Sequence, residues 1–207
     1  MSTITKTKAA APKVDIWKLT MTAMLSAIAF ILMFLEVSVP IMPPFIKLDL
    51  SELPALLGAF AMGPVSGGMI CLVKNLLHLF MTSTGGVGEL SNFILGACFV
   101  LPAGLIYQKW KGKKSAIFGA TVGAVLMAVV SIISNYYIVY PFYYNFMAKE
   151  AILEAYQAIL PNVTNVLECL IVFNAPFTLV KGLLSVVITT FIYKHISPFL
   201  KGSYRNR

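Results

Sequence analysis

Acidic residues are scarce in this chain. Its 207 residues hold 8 Asp and Glu against 16 Lys and Arg, and charged residues of both signs make up only 12%. A water-soluble domain of this size carries roughly a quarter charged residues, so a soluble fold is disfavoured from the outset. Cysteine is almost absent too. Cys71, Cys98 and Cys169 stand alone within apolar segments, an odd count without paired spacing, which argues against a disulfide framework and against a metal cluster. The catalytic motifs are missing as well: no G-x-x-x-x-G-K-[ST] loop, no H-E-x-x-H and no nucleophile elbow. The run "KGKKS" at 111–115 lacks both the upstream glycine and the final G-K-[ST] of a nucleotide loop. With no catalytic constellation an enzyme is disfavoured, and energised transport has to draw on an ion gradient or on a separate ATPase.

What is present is apolar sequence. Hydrophobic residues make up 58% of the chain, and the mean hydropathy is +0.84. They gather in long uncharged runs, as in an integral membrane protein. The first run is long and has no clear small-residue cleavage site, so it does not read as a signal peptide. The net charge of +8 suggests a nucleic-acid partner, but the positions of the charges argue otherwise. Lys6, Lys8, Lys13 and Lys18 precede the first run. Lys109, Lys111, Lys113 and Lys114 share one loop, and Lys194, Lys201, Arg205 and Arg207 close the chain. Clusters of this kind mark cytoplasmic flanks under the positive-inside rule.

The candidate spans are Leu19–Leu35, Val65–Met81, Leu90–Tyr107, Ser115–Phe146 and Cys169–Tyr193, each near the ~20 residues a helical span needs. Leu53–Met62 is the ambiguous stretch, because joined to Val65–Met81 it makes one long helix. Gly63-Pro64 interrupts that reading: proline lacks a backbone donor, and the adjacent glycine favours a turn. Charge parity agrees. Five spans put the Lys109–Lys114 loop opposite the basic N-terminus, whereas six put the N-terminus, that loop and the C-terminus on one side. The predicted fold is therefore an all-α integral membrane protein of six transmembrane helices with both termini cytoplasmic. It forms one membrane domain: a flexible N-terminus at 1–16, a bundle over about 17–199, and a basic tail at 200–207. Helix 2 is too short to cross ~30 Å of hydrocarbon alone. The preceding segment, 40–52, is expected to fold into the outer half of the protein and border a pocket, since irregular backbone at that depth must be buried or line a cavity.

An ionisable or strongly polar side chain at membrane depth is costly and marks a candidate site. In the last span Asn174, Thr178, Lys181 and Ser185 recur at helical spacing on one face. That stripe reads either as ligand contact, chiefly at Asn174, Thr178 and Lys181, or as interhelical glue. Glu52, Asn92 and Asn135 are further candidate ligand contacts. Asp49 and Ser51 are accounted for by helix-start chemistry. Lys74 and His78 lie one turn apart and could form a relay, although a structural role is the commoner fate of such a pair. Capping accounts for part of Glu89 and Ser91, and the tyrosines of "YYIVYPFYY" read as an interfacial belt. Ala23 and Ala27 lie on a small-residue face of helix 1 that suits close approach of another helix, internal or from a partner.

Taken in order, "LDLSELPALLGAFAMGPVSGG", "KNLLHLF", "GELSNFILG", "SNYYIVYP" and "NAPFTLVKG" resemble the substrate-binding membrane subunits, or S components, of energy-coupling factor (ECF) vitamin importers. The likeness covers nearly the whole chain and is greatest to the riboflavin-specific type. Ala23-x-x-x-Ala27 falls where that family has its A-x-x-x-A signature. The resemblance implies high-affinity capture of riboflavin as transported substrate, with no cofactor. It implies work with a transmembrane coupling subunit and two cytoplasmic ATPases that alone use ATP. It implies that Glu52, Asn135 and Lys181 bind the vitamin, that the first loop gates the pocket, and that Ala23 and Ala27 touch the coupling subunit. Thr178 stands where the family pattern has an asparagine, with Asn174 one turn away. The apolar "PIMPPF" segment suits a cover for the flavin ring. Two readings compete: an S component for another water-soluble vitamin, and a stand-alone secondary transporter. The second predicts matching broken helices in both halves, and the second half shows no such interruption.

Overall fold

The chain enters its first helix at Asp15, whose carboxylate accepts the backbone N–H groups of Trp17 and Lys18. This capping satisfies donors that the first turn of a helix leaves free. In the computed structural model, which describes residues 15–43, 46–82, 84–145 and 147–200, helix α1 then runs Ile16–Phe34. A two-residue ribbon follows, β1 (Val37–Ser38) pairing antiparallel with β2 (Lys47–Leu48), so that Val37 faces Leu48 and Ser38 faces Lys47. Helices α2 (Glu52–Met62), α3 (Pro64–His78), α4 (Val87–Lys109) and α5 (Lys113–Ser134) come next. Beyond α5, one π turn at Asn135–Val139 leads into α6 (Tyr140–Tyr143). Helix α7 (Lys149–Gln157) lies in the following connection. Helix α8 (Val166–Cys169), a second π turn at Leu170–Asn174 and α9 (Ala175–Leu200) complete the described chain.

Among the described residues, five stretches are long and apolar enough to cross a membrane: Ile16–Phe34, Pro64–Met81, Val87–Lys109, Lys113–Tyr143 and Val166–Ile196. Helix α2, with 11 residues, is the short sixth. It rises only about 16 Å. The six-helix prediction with a short second helix therefore matches the architecture. The helices begin slightly earlier than expected. Ile16 already belongs to α1, and α9 extends to Leu200. Residues 1–14 and 201–207 lie outside the described part, as do Pro44 and Phe45 of the "PIMPPF" segment.

The break at Gly63-Pro64 is sharp. Gly63 takes φ +109°, a region that L side chains rarely adopt, and Pro64 opens α3 where its missing N–H costs nothing. The chain reverses there, and α3 packs back along α2. Gly67 makes the close approach possible: a Cβ at that position would sit 2.7 Å from Ala59 Cβ and 2.9 Å from the Ala55 carbonyl oxygen. Glu52 and Lys74 are equidistant from Gly63 in sequence, so the hairpin sets them side by side at its open end.

Helices α1, α3 and α4 surround α2, and α5 joins α4 to α9. Leu25, Leu56, Ile70, Phe99, Val100 and Met127 belong to the central core. A second cluster forms at the end carrying the first loop, where Ile152 and Tyr156 of α7 pack with Val139, Tyr140, Val166 and Leu170. The opposite end carries the Lys109–Lys114 loop. There Phe60, Tyr107 and Tyr193 meet, with the Tyr193 hydroxyl donating to the Phe60 carbonyl at 3.3 Å. Ile31, Val65, Phe118, Val129, Val187 and Phe191 are exposed on the outside, an apolar surface that suits lipid rather than water.

Candidate functional site

Hairpin geometry and one polar face of α9 combine to build a closed charge network. Lys74 donates to Ser51 Oγ at 2.5 Å and to Glu52 Oε1 at 3.0 Å. Lys181 donates to Asp49 Oδ2 at 2.8 Å, and its Nζ also lies 3.1 Å from Glu52 Oε2. The other Asp49 oxygen accepts the Ser51 backbone N–H at 2.9 Å. The Lys74 and Glu52 side chains are 0% and 1% exposed, so neither has water to fall back on. Two carboxylates and two ammonium groups balance to zero. That balance is the condition under which buried charges persist, because each is very costly to leave alone. Burial pushes the Asp49 carboxyl up, but Lys181 and Lys74 outweigh it and hold the group well below the usual carboxylate range.

The helix-start account of Asp49 and Ser51 holds only in part: one Asp49 oxygen accepts the Ser51 N–H at the start of α2. Ser51 occupies the N-cap position of α2 but makes no side-chain cap bond, because its hydroxyl accepts from Lys74 instead. Asp49 bridges to a helix 132 positions away. Lys74 and His78 form no relay with each other and take the structural role expected as the commoner fate, each with its own partners. His78 Nδ1 lies 2.7 Å from Glu89 Oε1, and the second Glu89 oxygen accepts the hydroxyls of Thr82 and Thr84 at 2.9 and 3.1 Å. Thr82 and Thr84 in turn accept the backbone N–H groups of Gly86 and Gly88. Glu89 thus organises the turn before α4, a larger role than capping.

At the first-loop end these elements enclose a cavity of about 730 Å³. Its wall combines Met33, Phe34, Met81, Tyr143, Met147 and Ile152 with a polar part formed by Glu36, Lys47, Asp49, His78, Glu89 and Asn92. Glu36 and Lys47 form an exposed ion pair across the ribbon. Mixed walls of this size, mostly apolar with a few placed polar groups, are usual for small-molecule sites. The expectation that the segment before helix 2 borders a pocket is met, since Lys47 and Asp49 are part of this wall.

Of the sequence-predicted ligand residues, Asn92 alone lies on the cavity wall, half-buried. Glu52 and Lys181 are joined to the wall through Asp49. Thr178 and Lys181 of α9 are buried, as is Asn174 at the end of the π turn before it, and Asn174 accepts a hydrogen bond from the Tyr156 hydroxyl at 2.7 Å. Ser185, on the same face, donates to the Lys181 carbonyl of its own helix, which is structural use. Asn135 opens the first π turn and Asn174 closes the second. Single π turns inside helices often mark functional sites. Sequence reasoning missed Asp49 and the contribution of α7. It also treated the tyrosines as one belt. Tyr136 and Tyr137 are exposed as expected, but Tyr140 is buried with its hydroxyl 2.5 Å from that of Tyr156, and Tyr143 lines the cavity. Ala23 and Ala27 lie on the outward face of α1, beside exposed Leu19 and Ile31.

The model of the family "ECF transporter, substrate-specific component" matches residues 17–193. The riboflavin transporter RibU of Staphylococcus aureus (strain TCH60) is 35% identical over 180 residues, covering 86% of this chain and 89% of the relative. The riboflavin transporter FmnP of Bacillus subtilis (strain 168) is 29% identical over 188 residues, covering 89% and 94%. A solved structure of the S component of a bacterial ECF transporter superposes with a TM-score of 0.69 at 33% identity, over 89% of this chain and 97% of that one. The chain therefore belongs to the substrate-specific components of ECF transporters, a multi-pass membrane family of transport proteins rather than enzymes.

Proposed function

We propose that this protein captures riboflavin in the cavity under its first loop and passes it inward as the S component of an ECF importer. The observation that carries the reading is the cavity wall. Met33, Met81 and Met147 with Phe34 and Tyr143 offer apolar and aromatic surface to a flat ring system. Asp49, Asn92, His78 and Glu89 offer hydrogen-bond partners to ring heteroatoms and hydroxyls. Glu52, Asn135, Asn174, Thr178 and Lys181 then serve as the ligand-binding set, directly or by holding the wall. The naming of the relatives as riboflavin transporters supports the ligand choice.

In this reading the 17–199 region acts as one membrane domain of the plasma membrane, with the first loop outside and both termini cytoplasmic. The three lysine- and arginine-rich clusters support that orientation. Riboflavin is cargo and no cofactor is required. Ala23 and Ala27 meet the transmembrane coupling subunit, and two ATPases supply the energy. Titrating riboflavin into purified protein in detergent, following the vitamin's own fluorescence, tests the ligand. Saturable quenching at one vitamin per protein, undisturbed by excess thiamine, biotin or folate, is the expected result. Asn135→Ala and Lys181→Ala should each weaken binding at least about tenfold, the effect of losing one good polar contact. Unchanged affinity in both variants removes the site assignment, and displacement by another vitamin reassigns the ligand.

A further inference from the structure

The lysines of this chain are used in two ways. At the cavity end Lys47, Lys74 and Lys181 each meet a carboxylate. At the opposite end Lys109, Lys111, Lys113 and Lys114 are exposed, and among the described residues none of the four has an acidic partner. The sequence gives the reason: no Asp or Glu lies between Glu89 and Glu150. Four positive charges therefore crowd the turn from α4 to α5, and their counter-charge comes from outside the chain. What lies beneath them is apolar. One helical turn deeper and on the same face, Lys109 stands over Leu105, Lys113 over Ile117 and Lys114 over Phe118, and all three apolar side chains are exposed. Trp110, also exposed, fills the turn itself, with the Lys109 ammonium 4.7 Å from its ring centroid. Tryptophan at a span end sits at the level of the lipid headgroups, which puts the ammonium groups at the depth of the phosphates.

We propose that the α4–α5 turn is a binding surface for anionic phospholipid, with headgroup phosphates on Lys109, Lys111, Lys113 and Lys114 and acyl chains on Leu105, Ile117 and Phe118. A soluble anion satisfies only the upper row of this surface, because it offers nothing to the apolar row below. An anionic lipid satisfies both. Clustered lysines next to a span draw anionic headgroups, and the attraction falls off within a Debye length. The turn thus holds one end of the bundle at a negatively charged surface, whereas the lysines of the cavity end are already engaged within the protein. This inference concerns the bundle in its bilayer and does not depend on riboflavin capture.

The test reads Trp110 in the full chain. Trp17→Phe leaves Trp110 as the single tryptophan, and the protein is placed in vesicles of phosphatidylglycerol and phosphatidylcholine in equal parts, with bromine on the acyl chains of one lipid or of the other. Brominated phosphatidylglycerol should quench Trp110 as a lipid bound at least about fivefold more strongly than phosphatidylcholine, the effect of one lysine at an anionic surface. Molar salt, which shortens the Debye length to about 3 Å, should bring the two lipids to parity. So should replacing all four lysines by Gln, whereas replacing all four by Arg should keep the preference. Equal quenching by the two lipids at low salt overturns the proposal. A preference that survives molar salt or the four Gln substitutions overturns it as well, because the lysines are then not its source. Replacing Lys6, Lys8, Lys13 and Lys18 by Gln removes the same charge elsewhere and should leave the preference at Trp110 intact. Its loss there shows a response to net charge alone and overturns the local surface.

Discussion

Glu52 serves two lysines with one carboxylate, Lys74 through Oε1 and Lys181 through Oε2. Replacing it by Gln removes the charge but keeps the shape, leaving two buried ammonium groups with Asp49 alone. Breaking a buried pair in this way costs about 3–5 kcal/mol, so Glu52→Gln should lower the thermal unfolding temperature in detergent markedly. Adding Lys74→Met leaves the Asp49–Lys181 pair balanced and should restore most of that loss. Equal stability of Glu52→Gln and wild type would mean that the network contributes nothing to folding. At this scale the sequence was informative about individual residues and silent about their pairing. Glu52 and Lys181 stand out because a charge among apolar residues demands a reason. The identity of the reason depends on Asp49 meeting a lysine 132 positions away, a distance that no local pattern encodes. Asp49 was passed over because an acid just before a helix already has a sufficient local explanation.

The α2–α3 hairpin makes that pairing possible, and its tolerance for change is narrow. Gly67 lets α3 lie against Ala55 and Ala59. In Gly67→Val, backbone and a methyl group stand where the new side chain must go. Overpacking of this sort costs about 1–3 kcal/mol, and the displaced hairpin would draw Lys74 away from Glu52 and Ser51. Gly67→Val should therefore lower the unfolding temperature and also weaken ligand binding, although residue 67 lies outside the cavity wall. Full affinity in a destabilised Gly67→Val would show that the hairpin and the network are not mechanically linked. The hairpin itself was legible in advance. Gly63-Pro64 breaks a helix by chemistry that needs no partner, and the lysine clusters fix the parity of the spans. Helix α7 and the two π turns were not legible. The segment Lys149–Gln157 is short and lies between two spans, and its order comes from seating Ile152 and Tyr156 against Val139, Tyr140, Val166 and Leu170. A π turn inserts one residue into a helix whose sequence looks continuous, so Asn135 and Asn174 stand out in the sequence as polar residues without announcing the backbone that presents them.

For the whole molecule, capture and delivery are separable. The cavity and its network occupy the first-loop end, whereas the face of α1 bearing Ala23 and Ala27 points away from the bundle. Exposed Leu19, Met24, Ile28 and Ile31 flank these two alanines, so the small residues form a shallow track between larger ones. In lipid, where apolar area alone does not drive association, close backbone approach over small residues is what favours helix pairing. A tryptophan in that track blocks approach without entering the core. Ala27→Trp and Ala23→Trp should then leave riboflavin affinity of the isolated protein within about twofold of wild type, since neither residue lies on the cavity wall. Co-purification with the coupling subunit and vitamin uptake into cells should both fall at least about tenfold, the scale set by losing a few contacts at a helix interface. Lost affinity in detergent would mean that α1 supports the cavity rather than docking, and normal uptake would mean that the coupling subunit grips another face. Only retained binding together with lost uptake fits a body that captures at one end and is gripped along α1, and the two assays on one variant separate these arrangements.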